Sequence, residues 1–277
     1  MLDKTDSIFD MEKEEVRLYA HNLSKIYAEN SPFPHIVIDD FLPIEKIREL
    51  SGEFPNVALP SDINYDAPLS TRKKRQILPY DCSKIVQNFF HEINGANFLF
   101  FLEELTGIKG LMGDPYFHGG GLHETSSGGS LAVHSDFRVH KTLNVLRQLN
   151  VLIYLNEEWD DTFGGDLELW NNSCSEKVVS IAPVFNRCVI FTTDDKSFHG
   201  QPQPLTCPDE MTRRSIAVYY YTASARIHDD VKSTSADTFW HTGEGASIRD
   251  KFLSFKNRVR LNLKDYLPPI IYRNIFK

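Results

Sequence analysis

None of the hydrophobic runs in the 277-residue chain approaches the about 18 to 20 residues that a membrane-spanning helix needs. The N-terminal stretch MLDKTDSIFDMEKEE is acidic and has no apolar core, so it does not read as a secretory leader. The expectation is a cytoplasmic protein with no membrane partner. Cysteine is scarce: Cys82, Cys174, Cys188 and Cys207 lie far apart with no CxxC pair. Neither a zinc ribbon nor a disulfide framework is signalled, and reduced thiols are expected. Positive charge is also in deficit. With 30 Lys and Arg against 38 Asp and Glu, the net charge is -8, the opposite of what a general phosphate-backbone binder carries. No nucleic-acid partner is therefore expected. Internal repeats and low-complexity tracts are missing too, which removes solenoids and disordered linkers from consideration.

What is present is an ordinary globular composition, 41% hydrophobic and 25% charged, in a chain long enough to bury a core without staples. From Met11 to Glu29 the residues Val16, Leu18, Tyr19, Leu23 and Ile26 approximate a helical stripe, which stops at the proline-containing SPFPH. HIVIDDFL then reads as a strand, and IEKIRELSGEF as a short helix started by Pro43. Residues 55–80, with Pro55, Pro60, Pro68 and Pro79, read as a long loop of the kind that serves as a lid or binding segment. The basic run Arg72, Lys73, Lys74 and Arg75 within it reads as a solvated loop that could also meet an anion. Dense apolar spacing over 83–106 predicts two helices broken near Asn94-Gly95.

After Gly107 the texture changes to short strands separated by turn residues: Tyr116–Leu122, Ser130–Asp136, Leu146–Leu155, Asp166–Trp170, Lys177–Ile181, Arg187–Thr192 and Arg213–Thr222. Seven or eight antiparallel strands fit a jelly roll, the double-stranded β-helix of cupin-like domains. The fold class expected is α+β: N-terminal helices and a strand over 1–106 packed on the sheet, a β core over 107–225, and a helical C-terminal segment over 226–277, together one compact domain.

Chemistry concentrates in SGGSLAVHSDFRVHKTLN. His134 and Asp136 sit at i and i+2, so on a strand both face the same way while Ser135 faces away. Two donors hold a transition ion poorly, and a third is found in RCVIFTTDDKSFHGQPQP, where His199 follows an apolar strand. Two imidazoles and a carboxylate form the facial triad that leaves coordination positions open on non-heme iron(II). His118, His123 and His140 compete for the same role, although each lacks a partner at i+2. Arg147 reads as one half of a sheet-edge ion pair, and Gly164-Gly165 as the turn before DLELW.

HSD, then RQLNVLIYLNEEWDDTFGGDLELW, then NRCVIFTTDDKSFHGQPQP and TRRSIAVYYYT, together resemble the iron(II)- and 2-oxoglutarate-dependent dioxygenases, in particular their prolyl 4-hydroxylase-like branch. The likeness covers roughly 115–222, with a fainter echo in PFPHIVIDDFLP. It implies that His134, Asp136 and His199 are the catalytic iron ligands, and that Arg213 pairs with the distal carboxylate of 2-oxoglutarate. Strand alternation favours Arg213 over Arg214, since Arg213, Ser215 and Ala217 share a face whose small residues leave room. Tyr154 falls where that branch places a tyrosine on the same carboxylate. Asn150, which alternation along LNVLIYLN puts on the same face, joins Tyr154, Arg213 and Ser215 as the cofactor-binding candidates.

The cofactors implied are Fe(II), 2-oxoglutarate as cosubstrate and O2, with ascorbate as a candidate reductant. The implied reaction is hydroxylation of an unactivated C–H bond with release of succinate and CO2. A small molecule or a prolyl-containing peptide is the implied substrate, with Leu59–Gln76 and Gly119–Gly129 as specificity elements. In family members that halogenate, halide replaces the carboxylate, so Asp136 favours hydroxylation. One departure stands out: the close animal prolyl-hydroxylase pattern has a tyrosine where this chain has Glu124, implying a different partner for 2-oxoglutarate or substrate. A cupin-like metalloenzyme without 2-oxoglutarate and a non-catalytic metal-binding module are the alternative classes.

Overall fold

The computed structural model describes residues 7–67 and 69–223 and the backbone of 239–240. In chain order its elements are α1 (Lys13–Glu29), β1 (His35–Ile38), α2 (Ile44–Gly52), β2 (Ile63–Ala67), β3 (Thr71–Ile77), α3 (Lys84–Ile93), α4 (Ala96–Thr106) and β4 (Leu111–Met112). They continue with β5 (Gly121–Ser135), β6 (Leu146–Tyr154), β7 (Leu167–Trp170), β8 (Lys177–Ile181), β9 (Cys188–Thr192), β10 (His199–Gln201), β11 (Thr212–Thr222) and β12 (Phe239–Trp240). The helical C-terminal segment expected over 226–277 lies outside the described residues, apart from the backbone of β12. Among the described residues no helix is long and apolar enough to cross a membrane.

All strands join one curled antiparallel sheet, a jelly-roll half-barrel whose main path runs β1-β9-β6-β11-β5-β10-β7-β8. Helices pack on its outer face. The side-chain period of two explains why one strand serves both faces. On β6, Leu149, Val151 and Ile153 join the helix-side core, as do Ile216, Val218 and Tyr220 on β11 and Cys188 and Ile190 on β9. The alternate residues of the same strands turn inward, where Tyr154, Val189 and Phe191 pack with Leu167, Leu169 and Ile181.

Helix α1 uses a different stripe from the one its sequence suggested. Val16, Ala20 and Tyr27 are buried, whereas Leu18 and Ile26 are exposed. Positions 16, 20, 23 and 27 stay on one side of a helix with 3.6 residues per turn, and position 18 falls on the other. The break between α3 and α4 lies at Asn94-Gly95 as expected. Gly107 ends α4 in the left-handed region at φ 75°, its N–H donating to the Glu103 carbonyl, as a side chain without Cβ allows.

Two expectations are corrected. Residues 55–80 are not a free loop, because β2 and β3 form a hairpin that pairs along β5. The strands expected at Tyr116–Leu122 and Ser130–Asp136 are one long strand, β5, in which TSSGG reads as a turn but is carried as an excursion opposite a bulge at Lys73. Tyr116 and His118 precede it in a turn because the Asp114 carboxylate accepts both of their backbone N–H groups.

Candidate active site

The sheet register brings the three metal-ligand candidates together. Strand β10 pairs His199 directly with His134 on β5, so the two side chains leave the same face of adjacent strands. Their ring centroids lie 4.5 Å apart. Asp136, just past the end of β5, places Oδ1 3.6 Å from His134 Nε2 and Oδ2 3.4 Å from His199 Nε2. One ligand atom from each residue falls within 4.8 Å of the others, and among the described residues this is the cluster able to hold a metal ion.

Both histidines are held in the same way. His134 Nδ1 donates to the Ala132 carbonyl at 2.8 Å and His199 Nδ1 to the Ser197 carbonyl at 2.9 Å. A carbonyl can only accept, so each Nδ1 carries the proton and each Nε2 presents its lone pair to the cluster. Burial pushes the His199 pKa down to about 4 and so keeps the ring neutral, as a metal ligand must be. Asp136 is buried as well, which would raise its pKa. Arg147, followed by His199 and His134, outweighs that and holds the carboxyl well below its usual range.

Arg147 was misread from the sequence. It is fully buried, not at a sheet edge, with Nη2 3.0 Å from Asp136 Oδ2. Its guanidinium stacks 3.4 Å from the Tyr219 ring centroid and 4.7 Å from that of Phe137. The cause is a bulge: β11 pairs Tyr220 with Leu149 but Tyr221 with Arg147, so Gln148 is the extra residue. Strict alternation would send Arg147 toward the helices with Leu149, and the bulge turns it inward. Asn150 completes the arrangement. Its amide donates to Asp136 Oδ2 at 2.8 Å, while its carbonyl accepts from Arg147 Nε at 2.9 Å and Nη2 at 2.6 Å.

A cavity of about 190 Å³ opens over these groups. Arg213, Ser215 and Asn150 line it; Tyr154 does not, and stands behind Arg213. Arg213 Nη2 donates to the Tyr154 hydroxyl at 3.3 Å, and Nε donates to the Gly165 carbonyl at 2.6 Å. Gly165 has φ 85°, and a Cβ there would stand 3.0 Å from Arg213 Cδ, so the Gly-Gly turn is shaped to seat this arginine. No carboxylate of the described residues pairs with Arg213. Arg214 points the other way, to Glu124 at 3.3 Å and over the Phe54 ring.

Glu124 shares that outer side, paired also with Arg75 at 3.0 Å. It therefore does not stand in for a tyrosine in the cavity; its neighbours His123 and Thr125 are the inward-facing residues. Of the competing histidines, His140 is paired with Asp114 at 3.1 Å in the protein interior, and His118 packs edge-on against Phe137. His123 lines the cavity, where burial and then Lys74 hold its pKa well below the ordinary value. Lys74 and Gln76, which the sequence placed within a specificity segment and, for Lys74, a basic run able to meet an anion, are the residues of that segment that reach the cavity from β3 together with Tyr65 and Thr71 of the hairpin.

Residues 120–221 match the family model described as the 2OG-Fe(II) oxygenase superfamily, whose members use Fe(II), 2-oxoglutarate and O2. A search of curated protein sequences finds no match. Among solved structures, the epimerase SnoN in complex with Fe3+, alpha-ketoglutarate and nogalamycin RO is 14% identical and aligns over 84% of this chain and 97% of its own, with a TM-score of 0.52. A prolyl 4-hydroxylase from Phytophthora capsici is 16% identical over 90% of this chain and 76% of its own, at 0.50. One from Pseudomonas putida is also 16% identical, over 74% of this chain and 100% of its own, at 0.49. At these identities the likeness to the first two is one of fold alone. The two-imidazole, one-carboxylate donor set of this chain fits ferrous iron.

Proposed function

We propose that the protein is an iron(II)- and 2-oxoglutarate-dependent dioxygenase that hydroxylates an unactivated C–H bond of a small molecule or a peptide residue. The observation that carries this reading is one cavity holding the His134–Asp136–His199 cluster together with Arg213, a cation that no carboxylate of the described residues pairs. Iron held there together with 2-oxoglutarate and dioxygen would supply the oxidising chemistry, in which one oxygen atom enters succinate with loss of CO2 and the other enters the substrate.

The chain's own residues supply placement. His134, Asp136 and His199 would hold the iron on one face. Arg147 and Asn150 occupy Asp136 Oδ2, which orients the carboxylate and leaves Oδ1 the less engaged oxygen. Arg213, steadied by Gly165 and Tyr154, offers its remaining N–H groups to the distal carboxylate of 2-oxoglutarate. Leu131, Phe137, Leu152 and Phe191 line the remaining walls and keep water away from the reacting carbon. A cupin-like enzyme without 2-oxoglutarate would leave Arg213 with nothing to bind.

The test is succinate formation by the purified protein, measured with candidate metabolites and peptides above the uncoupled background. Turnover should require both Fe(II) and 2-oxoglutarate. His199→Ala should reduce it by about a thousandfold or more, since a facial triad short of one ligand no longer holds its metal in place. Undiminished succinate from that variant would remove His199 from the metal site.

A further inference from the structure

The four-residue basic run of β3 is not uniform. Lys73 Nζ donates to the Ser127 carbonyl at 2.7 Å, Arg75 pairs with Asp62 and Glu124, and Arg72 is exposed. Lys74 alone turns into the active-site cavity. Among the described residues its ammonium has no hydrogen-bond or ion-pair partner. A half-buried ammonium without a counter-charge costs stability, and a cation kept in that state at a catalytic cavity is a binding group awaiting its anion.

The sheet register says which anion it is not. Thr125 on β5 is paired with Lys74 of β3 on one side and with Arg213 of β11 on the other. Lys74 and Arg213 therefore start from positions two strands apart, about 10 Å, on the same inward face. From there Arg213 reaches away from β3, toward Gly165 and Tyr154. A distal carboxylate held by Arg213 would thus be drawn to the β6 side, while Lys74 stands on the β3 side. Asp136 is already neutralised by Arg147. The described residues and the cosubstrate together leave Lys74 without a partner. The next row repeats the geometry with polar, uncharged groups, Gln76 and Ser215 flanking His123, so the positive charge at this wall comes from Lys74.

The geometry points to Lys74 as a specificity residue that binds an anionic group, a carboxylate or phosphate, on the primary substrate, so that the enzyme acts on a small acidic molecule. This rests on the dioxygenase reading and narrows its substrate class. The side chain's pKa is drawn down to about 8 by burial first and Arg213 second, and the Asp136 carboxylate only partly offsets them. The cavity volume of about 190 Å³ suits a compact ligand beside 2-oxoglutarate.

The test is equilibrium binding without oxygen, on protein loaded with Mn(II) and 2-oxoglutarate, so that nothing turns over. The probes are N-acetyl amino acids beside their C-terminal amides, short hydroxy acids beside their amides, and small phosphate monoesters beside the parent alcohols. At least one acid should bind about tenfold or more tightly than its uncharged partner, the scale of a lost charge-assisted hydrogen bond. Lys74→Met and Lys74→Gln should each erase that preference while leaving the 2-oxoglutarate dissociation constant unchanged. Preference for a phosphate ester over a carboxylate, if it too disappears in both variants, supports the proposal and identifies the anion. Equal binding of acids and uncharged partners across the panel overturns it. So does a tenfold loss of 2-oxoglutarate affinity in the variants, which would assign Lys74 to the cosubstrate. Failure of the wild-type protein to bind Mn(II) and 2-oxoglutarate would instead strike the dioxygenase reading, and the acid-against-amide comparison on metal-free protein would still decide Lys74.

Discussion

Adjacent residues of β6 do opposite work. Val151 and Ile153 face the helices, in an interior of Phe, Leu and Ile side chains contributed by α1 to α4. Asn150 and Leu152 face the cavity, where Arg147, Arg213, Lys74 and Asp136 place four charged groups around about 190 Å³. The first face is stabilised by removal of apolar area from water, and the second opposes stability unless every charge finds a partner. One face of the sheet holds the fold together so that the other can carry charge in a fixed geometry.

Breaking the charged side at its centre should have the largest effect. Arg147→Met leaves Asp136 buried without its main counter-charge, and should cost about 3–5 kcal/mol in urea denaturation. Metal affinity should fall by about 10- to 100-fold, as expected for a group that orients a ligand. A variant as stable as wild type would mean that Asn150 suffices to satisfy Asp136. On the apolar side, Ile153→Ala should cost about 2–5 kcal/mol by the same assay while metal affinity of the folded protein is unchanged. A loss of metal affinity there would show that the two faces are not separable.

The cavity side should also carry a pH dependence. In the metal-free protein the folded-state pKa of His199 is about 4, against an ordinary 6.5. Between those values the unfolded chain takes up a proton that the folded one refuses, so stability falls as pH drops through that window, by at most about 3 kcal/mol from this group. His199→Gln should flatten the slope in part, with His123, His118 and His35, all shifted downward, supplying the remainder. An unchanged slope would count against a neutral, buried His199. Smaller still, Arg213→Ala should raise the 2-oxoglutarate requirement by about 10- to 100-fold with metal affinity intact. If Arg214→Ala did so instead, the inward phase of β11 would be wrong.

The legible part of the molecule is the part governed by regular alternation. The phases of β6 and β11 follow from LNVLIYLN and RRSIAVYYY, and with them the inward direction of Asn150, Arg213 and Ser215. His134, Asp136 and His199 were legible from the motif, and the register that sets His199 opposite His134 supplies the physical reason. Irregularity hid the remainder. A bulge at Gln148 turned Arg147 inward, against the alternation of its neighbours. TSSGG interrupts β5 with residues that elsewhere make turns, so one strand read as two. The basic run was noted as able to meet an anion, but that Lys74 is its inward member was hidden, because this depends on pairing with Thr125, a partner distant in sequence, and prolines on either side of β3 read as loop. Tyr154 and Gly165 show a subtler limit: the residues were noted, but that both act through Arg213 appears only when the chain is folded.

The site is built around two imidazoles and one carboxylate placed to share an ion. Anaerobic titration of the metal-free protein with ferrous iron, followed by equilibrium dialysis, measures this directly. The wild type should retain a single ion per chain, with retention lost in His134→Ala and in His199→Ala and preserved in His123→Ala. Iron held as tightly by both of the first two variants as by the wild type would contradict it.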